Sequence, residues 1–137
     1  MTTPPAFKNE AAFRRWVTKR ARAQGWLAAH LSNMQVVRRP EGAIAVPDKD
    51  AAGFPDLVLV HHVHGLVCAE LKMPGRKPDP EQIVWLRALR HAGVRIFVWY
   101  PRDLDEIEGV LDGIWPQSLF EEALRDAADL LREEAAS

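Results

Sequence analysis

The chain has 137 residues, of which 47% are hydrophobic and 27% are charged, with a formal net charge of −1 and one cysteine. This length allows one domain with its own core, and the composition excludes a disordered or fibrous protein. The single cysteine excludes an internal disulfide, and no apolar run is long enough to cross a membrane, so we expect a cytoplasmic protein without membrane contact.

Charge is distributed unevenly along the chain. Residues 1–40 hold eight Lys or Arg and one acid, whereas residues 101–137 hold three Arg and eleven acids. This asymmetry predicts a basic surface for a polyanion, with the acidic part kept away from it. The alternative is that both segments are simply solvated surfaces among mixed neighbours.

The first predicted helix runs from Glu10 to about Gln24, with Asn9 as its cap and Gly25 as its end. Its predicted buried stripe consists of Phe13, Trp16, Val17 and Ala21. Glu10 lies on the same stripe, where it either favours the helix dipole or reaches a site inside the fold.

A basic stripe occupies the opposite side of this helix and includes Arg15, Lys19 and Arg22. It faces either water or phosphates. Residues 26–31 then predict a strand, and residues 34–38 either continue it or return along it. Residues 39–52, with Pro40, Gly42 and Pro47, are interpreted as a loop. His30 either lies near the functional site or, as is more common for a lone histidine, is structural.

Two short apolar runs, 57–60 and 66–69, predict a β-hairpin with a five-residue loop at 61–65. In that register Val60 pairs with Leu66, so Asp56 lies opposite Glu70 on the same face. Lys72 points the same way, because it is two residues beyond Glu70. Two carboxylates and an ammonium group therefore meet at the end of an apolar hairpin.

Carboxylates this close repel each other unless a proton or a cation lies between them. One interpretation is a Mg²⁺ site, since hard oxygen ligands suit that ion. The other is a salt bridge in which Lys72 neutralises Asp56 or Glu70. The loop histidines, His61, His62 and His64, converge poorly for a zinc or nickel site and predict a polar loop tip.

Residues 73–78 form a predicted loop that contains Arg76 and Lys77. Asp79 then caps a helix that begins at Pro80, with Gln82 at the reciprocal capping position. We expect this helix to bury Ile83, Leu86 and Leu89 and to end before Gly93.

Residues 94–100 predict a strand parallel to the hairpin strand before it, because a helix connects the two. A short acidic helix follows at 103–111. Ser118 and Glu121 form a predicted capping box for a last helix. Its apolar stripe, which would cover the sheet or a second subunit, comprises Leu119, Phe120, Ala123, Leu124, Ala127, Leu130 and Leu131.

The stretch from Gly53 to Asp56, followed by Glu70-Leu71-Lys72, resembles the motif of PD-(D/E)XK nucleases. Residues 52–60 are similar to one branch, the virus-type replication-repair nuclease (VRR-NUC) domain. The resemblance covers roughly residues 9–108. It implies an α/β fold with a restriction-endonuclease-like core in the order α-β-β-β-α-β, a mixed sheet flanked by helices. Residues 109–137 would add a C-terminal helical extension to this single domain, 1–137.

The resemblance also implies a Mg²⁺- or Mn²⁺-dependent DNA endonuclease of phage or bacterial origin. Stand-alone members of this branch act on branched DNA, such as four-way junctions, as homodimers. A restriction-type or general repair nuclease of the same superfamily is one alternative. A non-catalytic DNA-binding module that keeps the fold is another.

Site roles follow residue by residue from the same resemblance. The implied metal ligands are Asp56, Glu70 and the backbone carbonyl of Leu71, with Glu10 completing the set directly or through water. Lys72 would orient the attacking water or stabilise the transition state, and Gln82 would support this site. The expected phosphate contacts are Arg14, Arg15, Lys19, Arg76 and Lys77.

Overall fold

The computed structural model describes residues 6–31, 34–47 and 49–136. In chain order its helices and strands are α1 (Glu10–Ala23), β1 (Leu27–His30), β2 (Met34–Arg39), β3 (Gly42–Pro47), β4 (Leu57–His61), β5 (Gly65–Leu71), α2 (Pro80–His91), β6 (Arg95–Trp99), α3 (Leu104–Leu111) and α4 (Gln117–Ala136). Short 3₁₀ turns occupy Lys49–Ala51 and Pro101–Asp103. In the part of the chain so described, no helix has the length and apolarity needed to span a bilayer.

Four strands form a mixed sheet in the order β1-β4-β5-β6. The β1–β4 and β4–β5 pairs are antiparallel, and α2 connects β5 to its parallel neighbour β6. The predicted pairing of Val60 with Leu66 is confirmed. The predicted five-residue loop is wrong, because His61 also pairs with Gly65 and leaves a three-residue loop. Gly65 has a φ of 87°, the conformation with which three-residue hairpin loops commonly end.

Helices cover both faces of this sheet. On one face, the stripe of α1 is fully buried at Phe13, Val17 and Ala21, where it meets inward-facing residues of β4, β5 and β6. On the other face, Leu86 of α2 packs near Cys68 and Ile96. Successive residues of β4 and β5 therefore point alternately into two apolar layers, one on each face of the sheet. The result is a mixed α/β fold with a four-stranded sheet flanked by helices.

The predicted burial of α2 needs one correction. Leu86 is buried and Leu89 is partly buried, but Ile83 is 38% exposed. Ile83 lines an open cavity that it shares with Ser118 and Leu119 at the start of α4, and no side chain described there covers it fully.

The prediction of a loop over 39–52 is wrong, because residues 42–47 form β3. β2 and β3 pair with each other in a separate two-stranded sheet, so β2 neither extends nor returns along β1. Arg39 pairs with Gly42, and Pro40 and Glu41 form the turn between them. Proline and glycine at such positions occur both in loops and at hairpin tips.

The last helix begins at Gln117, one residue before Ser118. The predicted capping box at Ser118 is therefore wrong, because this residue lies within the first turn. Leu119 packs against the core, whereas Leu131 is 66% exposed. The remaining side chains of the predicted stripe, at 120, 123, 124, 127 and 130, lie outside the described residues.

Candidate active site

The acidic site lies where Asp56 precedes the first residue of β4 and where Glu70 is the second-last residue of β5. Because Leu57 pairs with Ala69, the same register places Asp56 across from Glu70. Glu10 comes from the first residue of α1, which is held against the sheet by its buried stripe. One carboxylate oxygen from each of the three residues lies within 4.8 Å of the other two.

Asp56 is held by both its side chain and its backbone. Its Oδ2 accepts a hydrogen bond from the backbone N–H of Leu71 at 3.1 Å. Its carbonyl oxygen accepts from the backbone N–H of Leu31 at 3.0 Å and lies 3.1 Å from Nδ1 of His30. The Leu71 amide therefore directs the Asp56 carboxylate, while His30 and Leu31 hold the backbone of this residue.

Glu70 is the most buried charged group of the described core, with 1% of its surface exposed. Its Oε1 accepts a hydrogen bond from Nε2 of Gln82 at 2.8 Å and lies 3.7 Å from Nζ of Lys72. Its Oε2 is buried, and none of the described residues gives it a hydrogen bond. A buried carboxylate oxygen of this kind is costly unless a proton or a cation completes it.

Protonation is favoured while the cluster has no cation. Burial, and then the nearby Asp56 carboxylate, raise the pKa of Glu70 from 4.5 to about 8. Burial and Asp56 also raise the pKa of Glu10. The ammonium group of Lys72 opposes both effects without cancelling them.

Three converging carboxylates with an unpartnered buried oxygen fit a hard divalent cation such as Mg²⁺ or Mn²⁺. A simple salt bridge accounts for the cluster less well, because Lys72 approaches only the oxygen that Gln82 already satisfies. Among the residues described, these three carboxylates are the one group of this kind.

Gln82 combines two functions in a single amide. Its Oε1 accepts a hydrogen bond from the backbone N–H of Asp79 at 2.8 Å, which completes the first turn of α2. Its Nε2 donates to Glu70. The helix start and the orientation of Glu70 are therefore linked through one side chain.

The segment before Asp56 is fastened to α2. The indole Nε1 of Trp85 donates to the carbonyl oxygen of Ala52 at 3.0 Å, and the Phe54 ring meets that indole edge-on at 5.0 Å. Gly53 passes so near the helix that an added Cβ would lie 2.5 Å from the carbonyl carbon of Glu81. The sequence did not predict the Trp85 contact. Gly53 before Phe-Pro-Asp is, however, the residue type that a close approach of two backbones requires.

Replacing Gly53 by alanine is expected to lower the free energy of unfolding by about 2 kcal/mol or more. Gly53 has a φ of 87°, and the added Cβ would also push the 52–56 segment away from α2. Gly75→Ala is the matched control, because Gly75 has a φ of 83° but no atom within 4 Å of an added Cβ. Equal losses for the two variants in urea denaturation would contradict the proposed role of the close approach.

Basic residues lie on two surfaces, one of which adjoins the acidic cluster. An open cavity of about 470 Å³ is lined by Arg14, Arg15, Thr18, Lys19, Arg22 and His30. His30 also contacts the backbone of Asp56, so the cavity adjoins the acidic cluster. Arg76 and Lys77 are exposed on the loop between β5 and α2, and they do not line this cavity.

The hairpin histidines stack instead of converging on a common point. The His61 ring lies 4.7 Å from that of His62 and 4.4 Å from that of His64, measured between ring centroids. Nδ1 of His61 accepts from the backbone N–H of Val63, and its ring packs on Trp26. At the predicted polar loop tip, His62 and the apolar Val63 are exposed, whereas His61 and His64 are half-buried.

The structure is similar to a solved structure described as a VRR_NUC domain. The two share 25% sequence identity and a TM-score of 0.52, and the match covers 72% of this chain and 91% of that one. No protein-family model matches the chain, and no curated protein matches it. The structural likeness confirms the resemblance to a VRR-NUC domain that the Gly53–Asp56 and Glu70–Lys72 stretches predicted.

Proposed function

We propose that this protein is a Mg²⁺- or Mn²⁺-dependent endonuclease that hydrolyses phosphodiester bonds in DNA. The observation that carries the proposal is the set of three converging carboxylates, Glu10, Asp56 and Glu70, on a fold similar to a VRR-NUC domain. The buried, unpartnered Oε2 of Glu70 supports a cation at this position. The adjoining basic cavity supports a polyanionic substrate.

Asp56 and Glu70 would hold the metal ion, with the Leu71 carbonyl as a further ligand and Glu10 acting directly or through water. Bound there, a divalent ion would acidify an attacking water and offset charge on the scissile phosphate. The Leu71 amide keeps Asp56 directed at the site, and Gln82 does the same for Glu70. Lys72, 13% exposed at the edge of the cluster, is placed to stabilise negative charge that develops on the phosphate.

Cleavage assays on plasmid and on four-way-junction DNA test this proposal. We expect the purified protein to cut with Mg²⁺ or Mn²⁺ and to be inactive in EDTA. Asp56→Asn should abolish cleavage, while Asp112→Asn, an exposed acid beyond the site, should have no effect. Failure of the parent protein to cut either DNA while it still binds DNA would favour a non-catalytic binding module.

DNA is expected to lie along α1, because Arg15 and Lys19 line the cavity that adjoins Asp56 through His30. Replacing both by alanine should weaken binding to every sequence and lower the slope of log Kd against log salt by about one per lost phosphate contact. The control is Arg125→Ala with Arg132→Ala, two exposed positions on α4. The same slope in the Arg15 and Lys19 variant as in the parent would mean that these two residues face only water.

Selectivity for branched DNA and assembly as a homodimer belong to the same proposal. Two sites related by a two-fold axis would suit paired cuts in a four-way junction. Mass measurement in solution, together with the ratio of cleavage rates on junction and plain duplex, tests both points. A monomer that cuts duplex and junction DNA equally well would overturn them.

A further inference from the structure

The hairpin of β2 and β3, here called the ribbon (Met34–Pro47), has no role in the fold described so far. Its strands pair only with each other, and neither joins the four-stranded sheet. A free two-stranded ribbon is marginally stable in water. In the described part of the chain, helices pack against the four-stranded sheet but not extensively against the ribbon.

The described residues on either side of the ribbon lie close to Asp56, either in space or along the chain. Before it, Leu31 follows β1 and donates its backbone N–H to the carbonyl of Asp56. After it, a short turn at Lys49–Ala51 leads directly to Ala52, which is fastened to Trp85 of α2. The ribbon is therefore an insertion between two segments that position Asp56.

Its tip is basic. Arg38 and Arg39 are both exposed beside the Pro40–Glu41 turn, and Glu41 is the one acid of the ribbon. Arg38 pairs with Ala43 and Arg39 with Gly42, so successive arginines project to opposite faces. Two exposed arginines on opposite faces do not form an apolar contact. They can, however, contact phosphates on the two sides of a groove.

We propose that the ribbon binds the major groove of duplex DNA to one side of the cleavage site. The inference rests on the proposed nuclease function, and it states where the duplex next to the cleavage site would bind. A two-stranded ribbon has the width that the major groove admits, and arginines suit both phosphate oxygens and guanine edges. Six residues of strand extend about 20 Å, which corresponds to roughly six base pairs at 3.4 Å per step.

The test uses duplex DNA with Ca²⁺ in place of Mg²⁺, and it compares Arg38→Ala with Arg39→Ala in one variant against the control pair Arg125→Ala with Arg132→Ala. For the ribbon variant we expect the slope of log Kd against log salt to fall by about two. We also expect its hydroxyl-radical footprint to lose roughly six base pairs on one side. The control variant should match the parent in both measurements.

Cleavage separates this inference from the proposed function. A parental slope and footprint in the ribbon variant, with the parent cutting DNA, would overturn the ribbon inference alone. A parent that binds DNA through the ribbon but never cuts would overturn the nuclease alone, and one that does not bind DNA would overturn both.

Discussion

Lys72→Met is expected to lower the single-turnover rate of DNA cleavage on the order of a hundredfold or more at saturating Mg²⁺. Nζ of Lys72 lies 3.7 Å from Oε1 of Glu70, and its side chain is 13% exposed. It is thus near the cluster but still open to a substrate phosphate. Removing a preorganised positive charge should affect the transition state more than the bound ground state, so metal and DNA affinities should change little.

A purely structural Lys72 gives a different set of results. If its only function were to neutralise the carboxylates, Lys72→Met would lower the stability of the metal-free protein by a few kcal/mol near neutral pH. Added Mg²⁺ would then restore both stability and cleavage. Lys8→Met, at an exposed lysine before α1, is the control for loss of one positive charge. A folded Lys72→Met variant that cuts at the parental rate would show that the catalytic role is wrong.

The metal-free protein is expected to lose stability as the pH rises from about 4.5 to about 8, and Glu70→Gln should remove most of that loss. The pKa of Glu70 is raised to about 8 in the folded chain, chiefly by burial and then by Asp56, against 4.5 in its ordinary state. Between these values the unfolded chain has released a proton that the folded chain retains. Stability therefore falls with rising pH, by at most about 1.4 kcal/mol per unit.

A divalent metal ion should reverse the loss of stability at high pH in the parent protein but not in Glu70→Gln. A divalent ion replaces the proton on Glu70, so its apparent affinity should increase up to about pH 8. Metal at one hundred times its Kd would stabilise the folded state by about 2.7 kcal/mol. We expect Mn²⁺ to raise the Tm of the parent at pH 8, with little change for Glu70→Gln.

Glu121→Gln, at an exposed acid on α4, provides the control for these measurements and should behave as the parent does. Calorimetry adds a direct measurement, since Asp56→Asn and Glu70→Gln should each remove Mn²⁺ binding. Unchanged binding in both variants would contradict the metal assignment. A parent whose unfolding free energy is constant between pH 5 and 8 without metal would contradict the buried, protonated Glu70.

Local patterns were sufficient for the elements around the site. Asn9 accepts the hydrogen bond from the Ala12 N–H that caps α1. Of the predicted stripe, Phe13, Val17 and Ala21 are buried and Trp16 is partly buried. The register of β4 and β5 also followed from the sequence, since two apolar runs separated by a short polar break can pair in few ways. That register alone brought Asp56 and Glu70 together.

Long-range contacts decided the rest. Turn residues at 40–42 were consistent with both a loop and a hairpin, and only the pairing of β2 with β3 distinguished them. Ile83 has the helical spacing of a core residue, yet it is 38% exposed and lines an open cavity. Spacing reports which side of an element is apolar, whereas burial depends on which other element packs there.

The sequence by itself determined the elements around the acidic cluster, the pairing that opposes Asp56 and Glu70, and the side of α1 that carries Glu10. Those features depend on neighbours within one helix or one hairpin, where propensity and periodicity act. Only the tertiary structure decided that the capping residue Gln82 donates to Oε1 of Glu70 and that Trp85 fastens the segment before Asp56. It also decided that Oε2 of Glu70 is buried with no partner among the described residues. These contacts join segments distant in the chain, so their distances arise from packing of the whole domain.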